Sequence, residues 1–597
     1  MNALELLQNY YGYDQFRSGQ EQIVQNLLDN HNTLAIMPTG GGKSICYQIP
    51  GLAKTGTALV ISPLISLMKD QVDALHTLGI AATYINSSLT AEEQAERLAQ
   101  IRQGHYTFVY VAPERFDSPS FFRAMNQIEL SLIAFDEAHC ISQWGHDFRP
   151  SYRTVIESVR QLNRLPVIVG LTATATAEVI KDIKKLLAVQ DQHIVNTGFA
   201  RENLTFDVLK GQDRNHYIAD FLNVHKNETG IIYAITRKQV DQLHHALETK
   251  GYSVSKYHAG LSEEVRKQAQ NDFIYDNAKV MIATNAFGMG IDKSNVRYVI
   301  HYALPKNLES YYQEAGRAGR DGEPSQCIIL FSGQDISMQK YLIDQSEMEE
   351  DKKAEEYKKL QAMINYCHTE QCLQQYILHY FNDQISSIQP CGRCSNCQKD
   401  AEKIDRSKEA QMVLSCVKRM NQRFGATMVA KVLRGANDQK VKQFRFNKLS
   451  TYGLLSKWTE KQVLAFIQFL IAEDYVTSYG GRFPTLQLNE QSLSILKGEQ
   501  TVFVYEAKVK KTEAGDYDVA VFEELRKLRK QLADEQAVPP YVIFSDKSLR
   551  EMSNVKPTTK SAMLQIHGVG ERKFEQYGSL FMECFTSEDT NQQPLGS

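Results

Sequence analysis

Over roughly the first 340 residues, short apolar runs alternate with longer stretches whose apolar positions recur at helical spacing. TLAIMP, TALVIS, FVYVAP, LIAFDE and VIVGLTA come first; GIIYAI, VMIAT and YVIHYAL follow. Continuous apolar runs predict strands buried on both faces, and the amphipathic segments between them predict the covering helices, so the pattern specifies parallel sheets. Eight such runs exceed one small sheet, and a junction near residue 200, in NTGFARENLTFDV, divides them into two lobes, the second opening at GIIYAI.

Beyond about residue 340 the pattern changes. QSEMEEDKKAEEYKKLQAMINYC predicts a charged helix, a cysteine cluster follows, and a polar link spans about 399–408. Residues 409–500 predict three or four helices ending in a strand pair that turns at Gly480–Gly481, the order of a winged helix-turn-helix. QTVFVYEAKVKKTEAGDYD is charged and weakly patterned and is expected to be a linker; residues 517–586 again read as helical, and TSEDTNQQPLGS is a polar tail.

Length and composition fit this division. A chain of 597 residues is several domains long. Hydrophobic residues make up 43% and charged ones 23%, with no long charge-free apolar run, so no membrane span is expected. The start, MNALELLQNY, lacks the basic and apolar regions of a secretory signal, which points to the cytoplasm. The net charge of −3 does not decide whether nucleic acid is a partner, because local basic surface governs phosphate binding.

The chemistry begins in LAIMPTGGGKSICYQ, which reads strand, glycine-rich turn, helix. Glycines let backbone N–H groups converge on a phosphate, and the following helix adds its positive end. Thr39, Gly40, Gly41 and Gly42 form the cradle, Lys43 reaches the β- and γ-phosphates, and Ser44 holds magnesium. The strict loop pattern wants glycine where Met37 stands. LIAFDEAHC, about 90 residues on, ends a strand in two acids, Asp136 for the magnesium shell and Glu137 as general base toward the attacking water. Together the two motifs specify an NTPase.

Half of the ten cysteines fall between 367 and 397. PCGRCSNC supplies Cys391, Cys394 and Cys397, and a closed tetrahedral zinc site needs a fourth ligand from Cys372, Cys367 or His368. Directly after the acids, CISQWGHDFRP gathers Trp144, His146, Phe148 and Arg149. Aromatic rings there suit stacking on unpaired bases, with Arg149 on the phosphate beside them. Lys440, Lys442, Arg445, Lys448 and Lys457, interleaved with Phe444, Phe446 and Tyr452, suit the backbone of duplex DNA.

MPTGGGKS, ISPLISLMKDQ, VAPER, DEAH and GLTATA occur in order, followed by GIIYAITRKQV, YHAGL, IATNAFGMGID and YYQEAGRAGRDG. This set resembles a superfamily 2 helicase, and QEAGRAGRDG with DEAHCISQWGHDFRP is similar to the RecQ family specifically, over essentially the whole chain to about residue 586. The resemblance implies a multidomain α/β fold: RecA-like lobes at 1–200 and 201–340, a helical zinc-binding module at 341–404, a winged-helix domain at 405–500 and a small all-α HRDC domain at 515–588.

It further implies an ATP-dependent DNA helicase that moves 3′ to 5′ on single-stranded DNA and unwinds duplex or branched DNA in recombination and repair, with ATP, Mg2+ and Zn2+ as cofactors. Its expected partners are DNA, single-stranded DNA-binding protein and recombination proteins, and its expected place the nucleoid. QEAGRAGR sets Arg317 and Arg320 on one helix face at i, i+3; similarity assigns Arg320 as the arginine finger and Arg317 as its γ-phosphate neighbour. YYGYDQFRSGQEQI resembles the adenine-reading segment, with Tyr13 or Arg17 stacking on the base and Gln20 reading its edge. The resemblance selects Cys372 as the fourth zinc ligand and gives the aromatic loop the role of coupling DNA to hydrolysis. Where the family follows this cysteine with two arginines, Leu373 and Gln374 stand here.

Overall fold

Every residue of Thr33–Ile36 (β1) is buried, as the unbroken apolar run requires of a strand covered on both faces. It lies in a parallel sheet with β2 (Thr57–Ile61), β3 (Ala82–Ile85), β4 (Phe108–Val111), β5 (Leu130–Phe135), β6 (Val167–Thr172) and β7 (Ile194–Asn196), ordered 3-4-2-5-6-1-7. A second parallel sheet orders β8 (Leu204–Lys210), β9 (Thr229–Tyr233), β10 (Val254–Tyr257), β11 (Val280–Ala283), β12 (Val296–His301) and β13 (Ser325–Phe331) as 10-11-9-12-13-8. The computed structural model describes residues 2–143, 145, 148–288, 293–383, 389–399, 401–507, 518–536 and 538–586.

Five strands, β3, β7, β8, β10 and β13, add to the eight apolar runs. The second lobe therefore opens at β8, before GIIYAI. β8 is an edge strand whose side chains alternate between buried and half-exposed positions, so it lacks the continuous apolar signature of its neighbours.

The expected linker is also partly structured. Phe503–Ala507 (β17) pairs antiparallel with Ala401–Asp405 (β14), inside the expected polar link, and the Lys403 ammonium lies 4.1 Å from the Phe503 ring centroid. Backbone pairing at an exposed two-stranded ribbon tolerates the charged side chains that hid both strands. Between them lie the helices Ser407–Arg419, Ala426–Arg434 and Glu460–Ala472 and the hairpin of β15 (Thr477–Tyr479) and β16 (Thr485–Gln487), the winged-helix order.

One apolar core runs from the first lobe through the second into the zinc-binding module. At its centre Phe199, in the segment joining the lobes, stacks on Phe381 with ring centroids 4.7 Å apart and meets Tyr312 edge-on. The winged-helix and C-terminal modules have cores of their own. Among the described residues no helix is long and apolar enough to cross a membrane.

Candidate nucleotide and zinc sites

In a parallel sheet the strands deliver their following loops to one edge, and ligands bind there. β1 leads into the loop Thr39–Gly42 and the helix Lys43–Ala53. Gly40 and Gly42 both have φ +80°, a left-handed backbone that side chains with Cβ atoms resist. Arg17 Nη1 donates to the Gly40 carbonyl at 2.8 Å, and Gln20 Nε2 donates to those of Gly41 and Gly42 at 3.2 and 3.1 Å. These two side chains thus fix the loop carbonyls in place, and the Gly41 N–H closes the turn on the Pro38 carbonyl at 2.9 Å.

β5 sits two strands from β1 and ends in Asp136–Glu137. The Asp136 amide donates to the Ile61 carbonyl and the Glu137 amide to Asp136 Oδ1. Glu137 itself adopts φ 49°, ψ 50°, and His139 Nδ1 lies 3.2 Å from its Oε2 and 3.1 Å from Thr172 Oγ1. Burial, and then the charge of Glu137, push the Asp136 carboxyl up to about 7, against the pull of Lys43. Two adjacent half-buried acids that line one cavity with Ser44 are a donor set that a divalent cation relieves, and they fit magnesium.

Lobe two meets this loop directly. The helix Leu308–Ala315 ends at Gly316, so Arg317 and Arg320 lie in the turn that follows it rather than on a helical face. Gly316 and Gly319 (φ 58°) break the helical spacing that the sequence suggested. A Cβ added to Gly40 would lie 3.2 Å from Arg320 Cα, and one added to Gly316 would lie 3.1 Å from Thr39 Cβ. Arg317, 5% exposed, donates to the Gly288 carbonyl within its own lobe.

A cavity of about 760 Å³ opens between these walls and is lined by Tyr13, Lys43, Ser44, Asp136, Glu137 and Arg320 among others; its volume suits a nucleotide. The C-terminal module completes it, through Gln565, Ile566, His567 and Gly568. His567 faces Tyr13 with ring centroids 5.8 Å apart. The module reaches both lobes: Arg572 Nη1 donates to the Leu78 carbonyl at 2.7 Å, and Arg526 Nη1 to that of Asn227 at 2.6 Å. No periodicity marks these contacts in the sequence.

Of the aromatic loop, Trp144 and His146 lie outside the described residues. Phe148 lies under the Arg153 guanidinium at 5.5 Å and borders a second cavity, of about 720 Å³, between the lobes and the helix Glu350–His368. Arg149 Nη1 donates to the Pro63 carbonyl at 2.9 Å.

The four sulfurs of Cys372, Cys391, Cys394 and Cys397 lie within 4.8 Å of one another. Two of the pairs, Cys391–Cys397 and Cys372–Cys394, are 4.0 Å apart, close to the roughly 3.8 Å edge of a tetrahedron with Zn–S bonds of about 2.3 Å. Backbone N–H groups of Leu373, Cys391 and Cys394 point at three of the sulfurs at 3.3–3.4 Å, as thiolates require. The residues fit zinc. Cys367 stands outside the group, and His368 Nδ1 is engaged at 2.9 Å with the Ile364 carbonyl.

Five family models match the chain: DEAD/DEAH box helicase over 17–183, helicase conserved C-terminal domain over 213–322, RecQ zinc-binding over 333–398, RQC domain over 400–513 and HRDC domain over 518–585. The chain is 50% identical to the ATP-dependent DNA helicase RecQ of Bacillus subtilis, covering 97% of this chain and 98% of that protein. The chain belongs to the RecQ helicase family. It is also 39% identical to the RecQ helicase of Haemophilus influenzae over 97% of this chain and 95% of that one, and 31% identical to the RecQ-like DNA helicase blm-1 of Caenorhabditis elegans over 98% of this chain and 65% of that one. RecQ membership accounts for the whole ordered set of modules: two RecA-like lobes, zinc-binding module, winged helix and HRDC domain.

Proposed function

We propose that this RecQ-family chain, an ATP-dependent DNA helicase, hydrolyses ATP in the cavity between Lys43 and Arg320 and converts lobe movement into 3′-to-5′ travel along single-stranded DNA. The observation that carries the reading is the meeting of Gly40 with Arg320, which brings the phosphate loop of one lobe against the arginine turn of the other.

In this reading Thr39 to Gly42 cradle the phosphates and Lys43 neutralises their β- and γ-oxygens. Tyr13 or Arg17 stacks on the base, and Gln20 reads its edge on exchanging the loop carbonyls it now holds for the base. Glu137 orients and deprotonates the attacking water, with His139 beside it fixing its direction. Bound at Ser44 and Asp136, magnesium supplies charge neutralisation on the terminal phosphates. Arg320 stabilises the charge that develops on the transferred group, an effect worth roughly 10³–10⁵ in rate. Arg317 first has to leave the Gly288 carbonyl to join it.

Trp144, His146, Phe148 and Arg149 follow Glu137 closely enough in the chain for a strand bound there to shift the hydrolytic acid. The zinc cluster is structural. The winged helix binds duplex, and the division at 1–200, 201–340, 341–404, 405–500 and 515–588 assigns one task to each part. Branched duplexes in recombination and repair are the substrates, single-stranded DNA-binding protein and recombination proteins the partners, and the nucleoid in the cytoplasm the place of work.

The test is ATP turnover with and without single-stranded DNA, together with unwinding of duplexes carrying opposite overhangs. Turnover that DNA does not accelerate, or unwinding only from a 5′ overhang, removes the reading. Lys43→Ala is expected to abolish hydrolysis and Trp144→Ala to lose stimulation by DNA.

A further inference from the structure

Between β7 and β8 the chain crosses from one lobe to the other, and there Arg201 is 9% exposed with its guanidinium inside the interlobe contact. Its donors go to both sides. Nη1 donates to the Thr39 carbonyl of the phosphate loop. Nη2 donates to the carbonyls of Ala318 and Gly319 at 3.1 and 2.7 Å, the two residues that precede Arg320. Nε is taken by Asn203 Oδ1 at 3.2 Å, and Asn203 Nδ2 in turn grips the Gly319 and Glu323 carbonyls at 2.8 and 2.9 Å.

All the acceptors are neutral carbonyls, and among the described residues no carboxylate forms an ion pair with Arg201. A buried cation bonded only to neutral acceptors is costly, and the Asp321 carboxylate whose charge acts on Arg201 is already paired with Arg297 at 2.6 Å. A purely structural tie would therefore be better made by a neutral side chain. The cost is offset when an anion arrives nearby, and Nη1 lies 3.3 Å from where a Cβ on Gly40 would stand, inside the phosphate loop. The planar fork is also what the geometry demands, because one ammonium cannot reach carbonyls of both lobes and Asn203 at once.

The main chain of Arg201 is held from a third direction. Arg393, between the zinc-ligand candidates Cys391 and Cys394, donates from Nη2 to the Arg201 carbonyl at 3.0 Å and from Nε to the Leu204 carbonyl at 3.0 Å. Nη2 also reaches Gln374 Oε1 at 2.5 Å. Gln374 is one of the two residues that depart from the family's arginine pair, and it serves here to orient Arg393.

We propose that Arg201 is a positioning residue for hydrolysis, setting the phosphate loop and the Arg320 turn in register, and that Arg393 of the zinc loop holds Arg201 in place. The inference rests on the reading of Arg320 as the arginine finger. It makes the zinc cluster a mechanical support of the nucleotide cleft as well as of its own module.

The test is steady-state ATP hydrolysis by the full chain on an oligo-dT strand. Displacing a catalytic group by about 1 Å costs on the order of 10² in rate, so Arg201→Lys is expected to lower kcat by roughly 10–100-fold while KM for ATP stays within about threefold. Arg393→Gln is expected to lower kcat less, with zinc content unchanged, and to add nothing in the Arg201→Lys background. A kcat within about twofold of the parent for Arg201→Lys, a rise in KM alone, or additive losses in the double variant overturns the relay.

Arg320→Ala separates the two readings. If it retains turnover, the finger assignment fails; if it loses turnover while Arg201→Lys does not, only the relay fails. Should Arg201→Lys not fold, Arg393→Gln and Asn203→Ala carry the test, and parental kcat in both overturns the proposal.

Discussion

Arg550 Nη1 donates to Glu323 Oε2 at 2.6 Å, joining residues 227 positions apart. Glu323 stands three residues beyond Arg320, so this ion pair docks the C-terminal module beside the turn that closes the nucleotide cleft. Both side chains are mostly buried, at 18% and 17% exposed, which limits screening. Arg550→Glu is expected to weaken binding of a fluorescent ATP analogue by about 5–30-fold, the range that one or two kcal/mol of lost docking allows. The reversed pair, Arg550→Glu with Glu323→Arg, is expected to recover most of it. Unchanged affinity in the single variant would show that the module's His567 loop does not contribute to binding.

The zinc cluster separates two cysteines that the sequence left as rivals. Cys372 Sγ is 4.0 Å from Cys394 Sγ and accepts from the Cys391 amide, whereas Cys367 stands outside the group. Cys372→Ser is therefore expected to purify with well under one zinc per chain by elemental analysis and with reduced soluble yield, since structural zinc contributes folding energy directly. Cys367→Ser is expected to keep its zinc. The opposite pattern would move the ligand assignment.

What the sequence showed and what it hid follow from how each residue acts. Motif chemistry was legible because it needs particular residue types in a row: glycines and lysine at 40–43, paired acids at 136–137, cysteines at 391, 394 and 397. Buried central strands were legible because both faces must be apolar. Edge strands such as β8 and the ribbon of β14 with β17 were not, since one face meets water and backbone pairing carries them. The helical placement of Arg317 and Arg320 misled because spacing alone does not register the break at Gly316 and Gly319. Arg201 and Arg393 had no signature at all: each works through carbonyls that only the folded chain brings together.

His368 supplies a pH test of the zinc-binding module. Burial, and then the nearby charge of Lys210, bring its imidazole down from 6.5 to about 4, while its bond to Ile364 opposes the change. The unfolded chain therefore binds the extra proton first as pH falls. Stability from neutral His368 is fully present above about pH 6.5 and is lost progressively toward about pH 4. The loss between about pH 7.5 and pH 5 is expected to approach 2 kcal/mol, because each tenfold difference in proton affinity between the unfolded and folded chain is worth about 1.4 kcal/mol. His368→Gln is expected to flatten that part of the profile in denaturant titrations at each pH. An equal slope in both proteins would mean that other groups carry the acid sensitivity.

Gly42 offers a way to weigh two costs against each other. At φ +80° a Cβ is strained whatever its surroundings, and here it would also fall 2.3 Å from Gln20 Nε2. The left-handed strain is about 1–2 kcal/mol and has no escape, whereas the clash meets the flexible end of a side chain that can swing away. Swinging away releases the carbonyls of Gly41 and Gly42, which Gln20 holds at 3.2 and 3.1 Å. Gly42→Ala is therefore expected to lower ATP affinity by about tenfold or more, the sum of loop strain and lost orientation. Adding Gln20→Ala removes the clash and leaves the strain, so the double variant is expected to bind no better than Gly42→Ala alone. Recovery of affinity in the double variant would mean that the contact with Gln20, and not the backbone conformation, is why glycine is needed at this position.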